Sequence, residues 1–143
     1  MMIRITYTSA ATQAITPSMI LDILEAARDF NGNRGVSGLL YCAQNQFAQV
    51  LEGEAEAVDT IFEKIKTDAR HKNITVKRED ITERAFQDWR MAFVDSSTAE
   101  VARVLIGHGL DSYEPQKWPM ERTSQLLASF ANALRAERIP VRY

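Results

Sequence analysis

The sequence predicts an α+β fold of the ferredoxin-like kind, with elements in the order β-α-β-β-α-β-β. Two observations support this fold. Strand-like alternation recurs in several short segments, and two amphipathic helical patterns divide these segments into two similar β-α-β halves. Right-handed crossovers would place the first and third strands side by side in a five-stranded mixed sheet, with two helices on one face. We expect C-terminal helices to cover the other face.

The first half of the pattern begins with a strand and a helix. Residues 2–8 alternate between apolar and polar side chains and put Tyr7 on the apolar face. Thr16 and Pro17 then supply an N-cap and a first-turn proline. Apolar residues at helical spacing continue to residues 31–32, where an Asn-Gly pair is a typical helix end.

A hairpin, a second helix and two further strands follow. Apolar runs at residues 35–42 and 47–51 flank a short polar turn, which predicts the hairpin. An amphipathic helical pattern then extends from residue 58 to residue 68 or 70. Residues 74–82 and 90–94 are predicted to be strands, and the first of them is polar on one side, which suits a sheet edge.

The remainder of the chain predicts two more helices separated by a turn-rich stretch. Their patterns cover residues 99–106 and 122–138, and apolar residues share one side of the second helix. The strands would otherwise leave an apolar patch exposed on their second face. Residues 96–143 are therefore expected to pack on the sheet as a helical extension.

Composition and charge narrow the class of protein. The chain has 143 residues, 45% of them hydrophobic, which fits one ordinary globular domain. A net charge of -2 gives no electrostatic reason to expect nucleic acid or an anionic membrane as a partner. The N-terminus lacks a long apolar stretch and the single Cys42 cannot form an intrachain disulfide, so we expect a cytoplasmic protein with this thiol buried. The two histidines, His71 and His108, are far apart and have no cysteine pair beside them, so no metal site is expected.

Two polar side chains fall on the inward faces of predicted strands. Alternation puts Tyr7 on the face of Ile3 and Ile5, and Gln49 on the face of Phe47. A buried hydroxyl or amide without a partner costs roughly 1–3 kcal/mol, so each must find a hydrogen bond beneath the helices. The pattern alone leaves three interpretations open: a satisfied polar pair in an ordinary core, a register that is wrong by one residue, or the lining of a ligand site.

Other candidate residues are equally open when each is taken alone. Trp89, Met91 and Phe93 would share one face of the fifth strand, which is typical of plain core and also of a pocket wall. Asn31 stands where a helix normally ends, and cations near the end of the second helix, such as Arg70, suit the helix dipole without any ligand. Only their occurrence together argues for a site.

Several short motifs in a definite order carry a family resemblance. They are Tyr7-Thr8-Ser9, Asn31, Gly35-Val36-Ser37-Gly38-Leu39-Leu40, Phe47-Ala48-Gln49-Val50-Leu51-Glu52-Gly53, Asp68-Ala69-Arg70-His71, Arg84-Ala85-Phe86 and Trp89-Arg90-Met91. Over residues 3–94 this set resembles the BLUF family, flavin-binding sensors of blue light. The chain is similar to the short stand-alone type with a C-terminal helical extension. The departures are mild, and one of them is Phe30, where a polar residue is frequent.

The resemblance implies that residues 1–95 form a flavin-binding photosensor domain, followed by the helical extension at residues 96–143. It implies FAD as the cofactor, with the ring inserted between the two helices. Because the sequence has no Gly-x-Gly-x-x-Gly motif, FMN or riboflavin could also bind. The residues that the resemblance assigns to cofactor binding are Tyr7, Asn31, Gln49, Lys66, Arg70 and His71.

The family mechanism, carried over to this chain, is electron transfer from Tyr7 to the excited flavin with the proton passing through Gln49. After recombination Gln49 is left rotated or tautomerised, and the absorption band lies at longer wavelength. Trp89 and Met91 on the fifth strand are then expected to relay the change to the C-terminal helices. With no output domain after the sensor, signalling is expected to reach a separate partner protein by contact, or to act through a homo-oligomer.

Two alternatives from other classes remain at this point. A flavoenzyme on the same fold would need a further acid, base or nucleophile grouped with Tyr7 and Gln49, and the sequence offers none, so we expect no enzyme. A ligand-free interaction module would use the same sheet and helices merely to bind another protein. Colourless protein that gains no colour on addition of FAD would favour this second alternative.

Overall fold

A computed structural model describes residues 1–140 and shows one sheet with helices on both faces. The elements in chain order are β1 (Met2–Ala11), α1 (Pro17–Gly32), β2 (Ser37–Ala43), β3 (Gln46–Glu54), α2 (Ala55–Thr67), β4 (His71–Ile81), β5 (Ala92–Asp95), α3 (Ala99–Gly107), a 3-10 turn (Pro115–Lys117) and α4 (Met120–Arg135). None of these helices combines the length and the apolar character that crossing a bilayer requires.

The sheet has the strand order β4-β1-β3-β2-β5. Strand β1 lies antiparallel to both β3 and β4, whereas β2 lies parallel to β5, so the sheet is mixed. The predicted ferredoxin-like fold is therefore confirmed, including the adjacency of the first and third strands. The polar strand β4 lies at an edge, as its pattern indicates.

Local sequence signals set the first helix and the hairpin. The Thr16 hydroxyl accepts a hydrogen bond from the Met19 amide at 3.1 Å, which caps α1. In the β2–β3 turn, Gln44 and Asn45 both adopt positive φ, 53° and 57°, which matches the right-handed twist of a hairpin. The Asn45 side chain then accepts from the Ile15 amide at 3.1 Å and attaches the β1–α1 loop to the turn.

Alternation along the strands divides the buried residues between the two faces. Side chains of α1 and α2, among them Leu24, Val58 and Phe62, pack on the face of Ile5 and Leu51. The opposite face is covered by α3 and α4, which bury the four residues expected to form an apolar patch. These are Ala48, Val50, Ala92 and Val94, at most 1% exposed. Both predicted helical layers are confirmed.

Some boundaries differ from the sequence prediction. Strand β1 continues to Ala11, because β3 pairs with it as far as Ala10 and β4 as far as Ala11. Helix α4 ends at Arg135 and not at Arg138, because Glu137 adopts a φ of 60° and the Arg138 amide turns back to the Ala133 carbonyl at 2.8 Å. The last three residues of the predicted extension, 141–143, lie outside the described residues.

The cysteine prediction is confirmed. Cys42 lies on β2, is 8% exposed and belongs to the core under α1 and α2. Burial raises the pKa of its thiol to about 12, so it stays protonated at neutral pH. It is packed as a small apolar side chain.

Candidate functional site

A cavity of about 290 Å³ lies between the sheet and the helix pair α1 and α2. Most of its wall is apolar, as is usual for a site that holds a flat organic ligand. A few polar side chains interrupt this wall. They are Tyr7, Asn31, Gln49, Lys64, Asp68, Arg70 and His71.

The phenol of Tyr7 and the amide of Gln49 form a buried hydrogen bond inside this cavity. The two residues are direct partners in the β1–β3 ladder, so the pairing register alone brings them together. Tyr7 Oη donates to Gln49 Oε1 at 2.6 Å, and the residues are only 1% and 4% exposed. Burial raises the pKa of Tyr7, so the phenol stays protonated and remains a donor.

The other end of the Gln49 amide is also engaged. Its Nε2 donates to the sulfur of Met91 at 3.3 Å, and Met91 is 1% exposed. Room for this thioether depends on Gly38, where an added Cβ would lie 3.1 Å from the Met91 methyl and 2.1 Å from the Val50 carbonyl oxygen. The amide is thus held between a donor on one side and a weak acceptor on the other.

Trp89 does not share the face of Met91, so this part of the sequence prediction is wrong. Its ring packs against the core under α4, whereas Met91 and Phe93 belong to the core under α1 and α2. The strand begins only at Ala92, so two-residue alternation does not extend back to Trp89. Of the two proposed relay residues, Met91 is the one that contacts Gln49.

Asn31 lies at the C-terminal end of α1 and is 1% exposed. Its Nδ2 donates to the Arg90 carbonyl at 2.9 Å, whereas its Oδ1 is buried and has no hydrogen-bond partner within residues 1–140. An unpaired buried acceptor costs roughly 1–3 kcal/mol, and Asn31 lines the cavity. Asn31 Oδ1 is therefore placed to accept a hydrogen bond from a ligand.

A charged pair stands at the same cavity, formed by Arg70 and Asp68. The guanidinium donates twice from Nε, at 3.0 and 3.1 Å, and once from Nη2, at 2.6 Å, to the two carboxylate oxygens. The side-chain hydrogen bond to Arg70 holds the pKa of Asp68 below its usual range. Both side chains are partly exposed, at 40% and 26%, so they can also meet a polar ligand tail.

His71 connects the cavity to the first strand. Its Nδ1 lies 2.8 Å from the Ser9 hydroxyl, and its ring stands edge-on to Tyr7 with the centroids 5.9 Å apart. Burial lowers the pKa of His71, so the ring is neutral at neutral pH. A neutral ring presents its second nitrogen as either a donor or an acceptor, according to its tautomer.

Lys66 is not part of the cavity wall, which departs from the assignment that the resemblance implies. Its ammonium pairs with Glu63 at 2.7 Å, whereas Lys64 lines the cavity and lies 3.9 Å from the centroid of the Phe30 ring. Helical spacing could have found this difference, since Lys64 follows the cavity residue Ile61 by three positions and shares its face. Lys64 is not among the residues that the sequence predicts to bind the cofactor.

The polar and apolar atoms of the cavity wall fit a flavin ring. The isoalloxazine system is flat, is apolar on its faces, and carries one ring N–H between two carbonyls at its polar edge. That N–H is a donor of the kind that the unpaired Asn31 Oδ1 requires. The residues that would hold the ring are Asn31, Gln49 and Tyr7 at polar atoms and Phe47, Leu40 and Ile65 at apolar ones.

A comparison with known protein families decides the assignment. The model for sensors of blue light using FAD, abbreviated BLUF, matches residues 2–92. The chain belongs to the BLUF family. The matched family senses blue light through a bound flavin, which confirms the prediction that these residues form a photosensor and not an enzyme. Within residues 1–140 there is also no group of three or more His, Cys, Asp or Glu side chains placed to hold a metal ion.

Solved structures of BLUF proteins resemble this chain over most of its length. The BlsA ground state has a TM-score of 0.79 and 35% identity, and the match covers 94% of this chain and 87% of that one. The dark state of BlrB, a BLUF protein, has a TM-score of 0.77 and 28% identity over 92% of this chain and 96% of that one. The similarity to BlsA therefore reaches beyond the family segment into the C-terminal helices.

A curated relative shows the same segment within a much longer protein. Photoactivated adenylate cyclase subunit beta of Euglena longa is 34% identical over 104 residues, which are 69% of this chain and 12% of that protein. The present chain thus corresponds to a small part of the curated relatives that it matches.

Proposed function

We propose that this chain is a blue-light photoreceptor in which Tyr7 and Gln49 carry out the light-driven change around a flavin in the cavity. The observation that carries the proposal is the buried hydrogen bond of 2.6 Å from Tyr7 Oη to Gln49 Oε1 within the cavity wall. It joins an oxidisable phenol to an amide that can accept its proton. A bound flavin supplies blue-light absorption and, once excited, an electron acceptor.

Tyr7 is the group that gives up an electron and a proton in this proposal. The phenol is protonated because burial raises its pKa, so the electron and the proton leave the same side chain. The proton moves along the existing hydrogen bond to Gln49 Oε1. On return of the electron, Gln49 gives one proton back to Tyr7 from either end of its amide, so no net oxidation or reduction remains.

Gln49 is the group that retains the change. Its amide has a donor and an acceptor at opposite ends, so rotation or tautomerisation rearranges the bond to Tyr7. Rotation also removes the donor from the Met91 sulfur, which has no hydrogen to give in return. A cofactor carbonyl at this edge would then receive a different hydrogen bond, which moves the absorption band to longer wavelength. One such bond is worth about 1 kcal/mol net, which shifts a two-state equilibrium about fivefold.

Output needs an element that amplifies this small change. Met91 contacts the amide directly, and Trp89 packs against the core under α4, so the chain between them connects the cavity to the C-terminal helices. In this proposal residues 1–95 sense light and residues 96–143 carry the change to a separate signalling protein in the cytoplasm. A homo-oligomer is part of the same proposal.

FAD is the proposed cofactor, and FMN and riboflavin share the ring that the cavity wall addresses. Asn31, Tyr7 and Gln49 act on the ring, whereas Arg70 and His71 meet the chain attached to it. Lys64 joins these residues because it lines the cavity, and Lys66 is proposed, as the resemblance implies, to approach the ribityl or phosphate portion of the cofactor. Extraction of the bound flavin after expression, followed by mass measurement, would separate the three cofactors.

An absorption spectrum before, during and after blue illumination tests the function. We expect a yellow protein whose visible band moves to longer wavelength in light and returns in darkness. A colourless protein that binds no added FAD would contradict the proposal, as would flavin reduction in the dark by a substrate.

The relay is tested separately by Met91→Ala. This variant should keep its colour and a spectral shift but lose the light-dependent change in its C-terminal helices, because Met91 is the contact that reports the state of the amide. Normal light-dependent exchange of amide hydrogens in α4 would refute the relay.

A further inference from the structure

The chain between β4 and β5 is bound to the cavity at its C-terminal end. We call residues 84–91 the β4–β5 segment. Its last three carbonyls accept hydrogen bonds from groups beside the cavity. The donors are the Gly38 amide to Trp89 at 3.1 Å, Asn31 Nδ2 to Arg90 at 2.9 Å and Arg28 Nε to Met91 at 3.2 Å. Met91 therefore lies at the end of a short run of backbone that α1 and β2 hold in place.

The start of the same segment is bound to the sheet. Glu52 on β3 is fully buried, and its carboxylate accepts from the amides of Ala85 at 3.0 Å and Phe86 at 2.8 Å. The same carboxylate pairs with Arg4 at 2.7 Å, which balances its charge. This end of the β4–β5 segment is thus fixed independently of the cavity.

Arg135, near the C-terminal end of α4, makes polar contacts with the middle of the segment, beside the apolar packing of Phe86 and Trp89 on the same core. The Arg135 guanidinium donates to the Asp88 carboxylate at 2.7 Å and to the Ala85 carbonyl, and its Cζ lies 5.2 Å from the centroid of the Trp89 ring. Asn132, one turn earlier on α4, accepts from the same guanidinium at 3.0 Å and orients it. Arg135 is not among the residues that line the cavity.

We propose that Arg135 is a positioning residue for the light-driven change, which rests on the proposed function. By holding Asp88 and Trp89, it fixes the β4–β5 segment so that the Met91 sulfur stays on the Gln49 amide. The same contacts let α4 respond when that sulfur is displaced. The two residues assigned to relay thus have distinct parts, since Met91 contacts the amide and Trp89 contacts the guanidinium.

Charge and geometry favour a specific role over a general surface contact. The Asp88 and Arg135 side chains are 35% and 34% exposed, so the pair is screened by solvent in part. The guanidinium nevertheless binds a carboxylate, a backbone carbonyl and a ring of one segment, and its planar donors are suited to this. Without these contacts the β4–β5 segment would change more easily from its dark arrangement to its light arrangement and back.

The test is the rate of dark recovery in Arg135→Gln after a blue pulse. We expect the wild-type colour and red shift with recovery accelerated about fivefold, the change that loss of about 1 kcal/mol of restraint produces. Light-minus-dark hydrogen exchange over Met120–Arg135 should be lost in the variant. Arg138→Gln is the matched control, because it removes the same charge from a residue that pairs with Glu100 at 3.2 Å.

Asp88→Asn provides a second, nearly isosteric variant at the other end of the ion pair. It should accelerate recovery in the same direction, and it decides the question if Arg135→Gln does not fold. The double variant with Met91→Ala tests the route of the effect. If Arg135 acts through Met91, Arg135→Gln should change recovery less than about twofold once Met91 is replaced.

The outcomes separate this proposal from the proposed function. Wild-type recovery rates in both Arg135→Gln and Asp88→Asn, or the same acceleration in Arg138→Gln, would overturn the role of Arg135 while the red shift stands. The role of Arg135 would also be overturned if the change in recovery rate of the double variant equalled the product of the changes in the two single variants. A wild-type protein with bound flavin but no shift in light would overturn the proposed function and, with it, this positioning role.

Discussion

The two faces of the sheet share the same strands but enclose different interiors. Under α1 and α2, the polar groups of Tyr7, Gln49 and Asn31 surround a cavity of about 290 Å³. Under α4, Tyr41 stacks on Phe130 with ring centroids 5.4 Å apart, and apolar side chains from both helices and sheet fill the interior. One strand serves both faces, because Gln49 points to the cavity and its neighbours Ala48 and Val50 point to α4.

The difference teaches that the two faces satisfy their buried polar groups differently, since on the α4 side the fully buried Glu52 carboxylate is already paired with Arg4 and with backbone amides. On the cavity face, each inward polar group needs a partner, and the unpaired Asn31 Oδ1 shows that residues 1–140 do not supply all of them. On the α4 face, close packing provides stability and needs no ligand. Substitutions of polar groups at the cavity should therefore change flavin binding or photochemistry, and substitutions within the apolar interior under α4 should mainly change stability.

The largest expected effect comes from comparing Tyr7 with Tyr41, a buried tyrosine on the other face of the sheet. Tyr7→Phe should retain the flavin colour and abolish the light-induced red shift, because the phenol that donates to Gln49 is lost. Tyr41→Phe is the matched control on the other face, where the hydroxyl donates to the Tyr113 carbonyl at 2.8 Å. It should keep the full shift and lose about 1 kcal/mol of stability. Difference spectra measure both, and a normal shift in Tyr7→Phe would contradict the assignment of the electron donor.

The second prediction concerns stability on the α4 face. Phe130→Ala removes a fully buried ring that stacks on Tyr41, and it should lower the free energy of unfolding by about 3–5 kcal/mol. Urea denaturation followed by circular dichroism measures the loss. Ile106→Ala, at a side chain that is 74% exposed, is the control and should change stability little. At urea concentrations below its unfolding transition, Phe130→Ala should still give the red shift. Absence of the shift under these conditions would show that the interior under α4 also controls the photochemistry.

The third prediction uses the unpaired acceptor of the cavity. Asn31→Ala should weaken flavin binding by about tenfold, because one buried hydrogen bond to the ligand is lost. Fluorescence titration of the flavin-free protein with FMN gives the dissociation constant. Asn33→Ala, at an exposed residue just after α1, serves as the control. An equal dissociation constant for FMN in the two variants would show that Asn31 does not bind the flavin.

The smallest expected effect depends on pH and on His71. Burial lowers the pKa of His71 in the folded protein, whereas the unfolded chain takes up the proton near its ordinary value of about 6.5. Its contribution to stability is therefore present above about pH 6.5 and is lost as the pH falls through the lower folded value. Thermal unfolding between pH 7.5 and pH 5.5 should show this decline, and His71→Gln should reduce it. An unchanged pH dependence in that variant would assign the decline to other groups.

Short-range patterns in the sequence were sufficient to locate most helices and strands and to identify Tyr7 and Gln49 as the central pair of the site. Alternation placed Tyr7 and Gln49 inward, and the β1–β3 register made them partners. Patterns were less informative where a strand or helix ends. Trp89 lies outside β5 and packs on the other face. Helix α4 is terminated by a left-handed residue at Glu137, where the sequence has no glycine to indicate a helix end.

The sequence by itself determined the fold class, the adjacency of the first and third strands and the family, because these follow from periodicity, from the rules of chain crossover and from motifs that are local in the chain. Only the tertiary structure decided which polar atoms remain unpaired, that Lys64 and not Lys66 lines the cavity, and that Arg135 reaches across to Asp88. These facts depend on contacts between residues far apart in sequence, whose geometry follows from how the helices pack and not from the spacing of residues within one element.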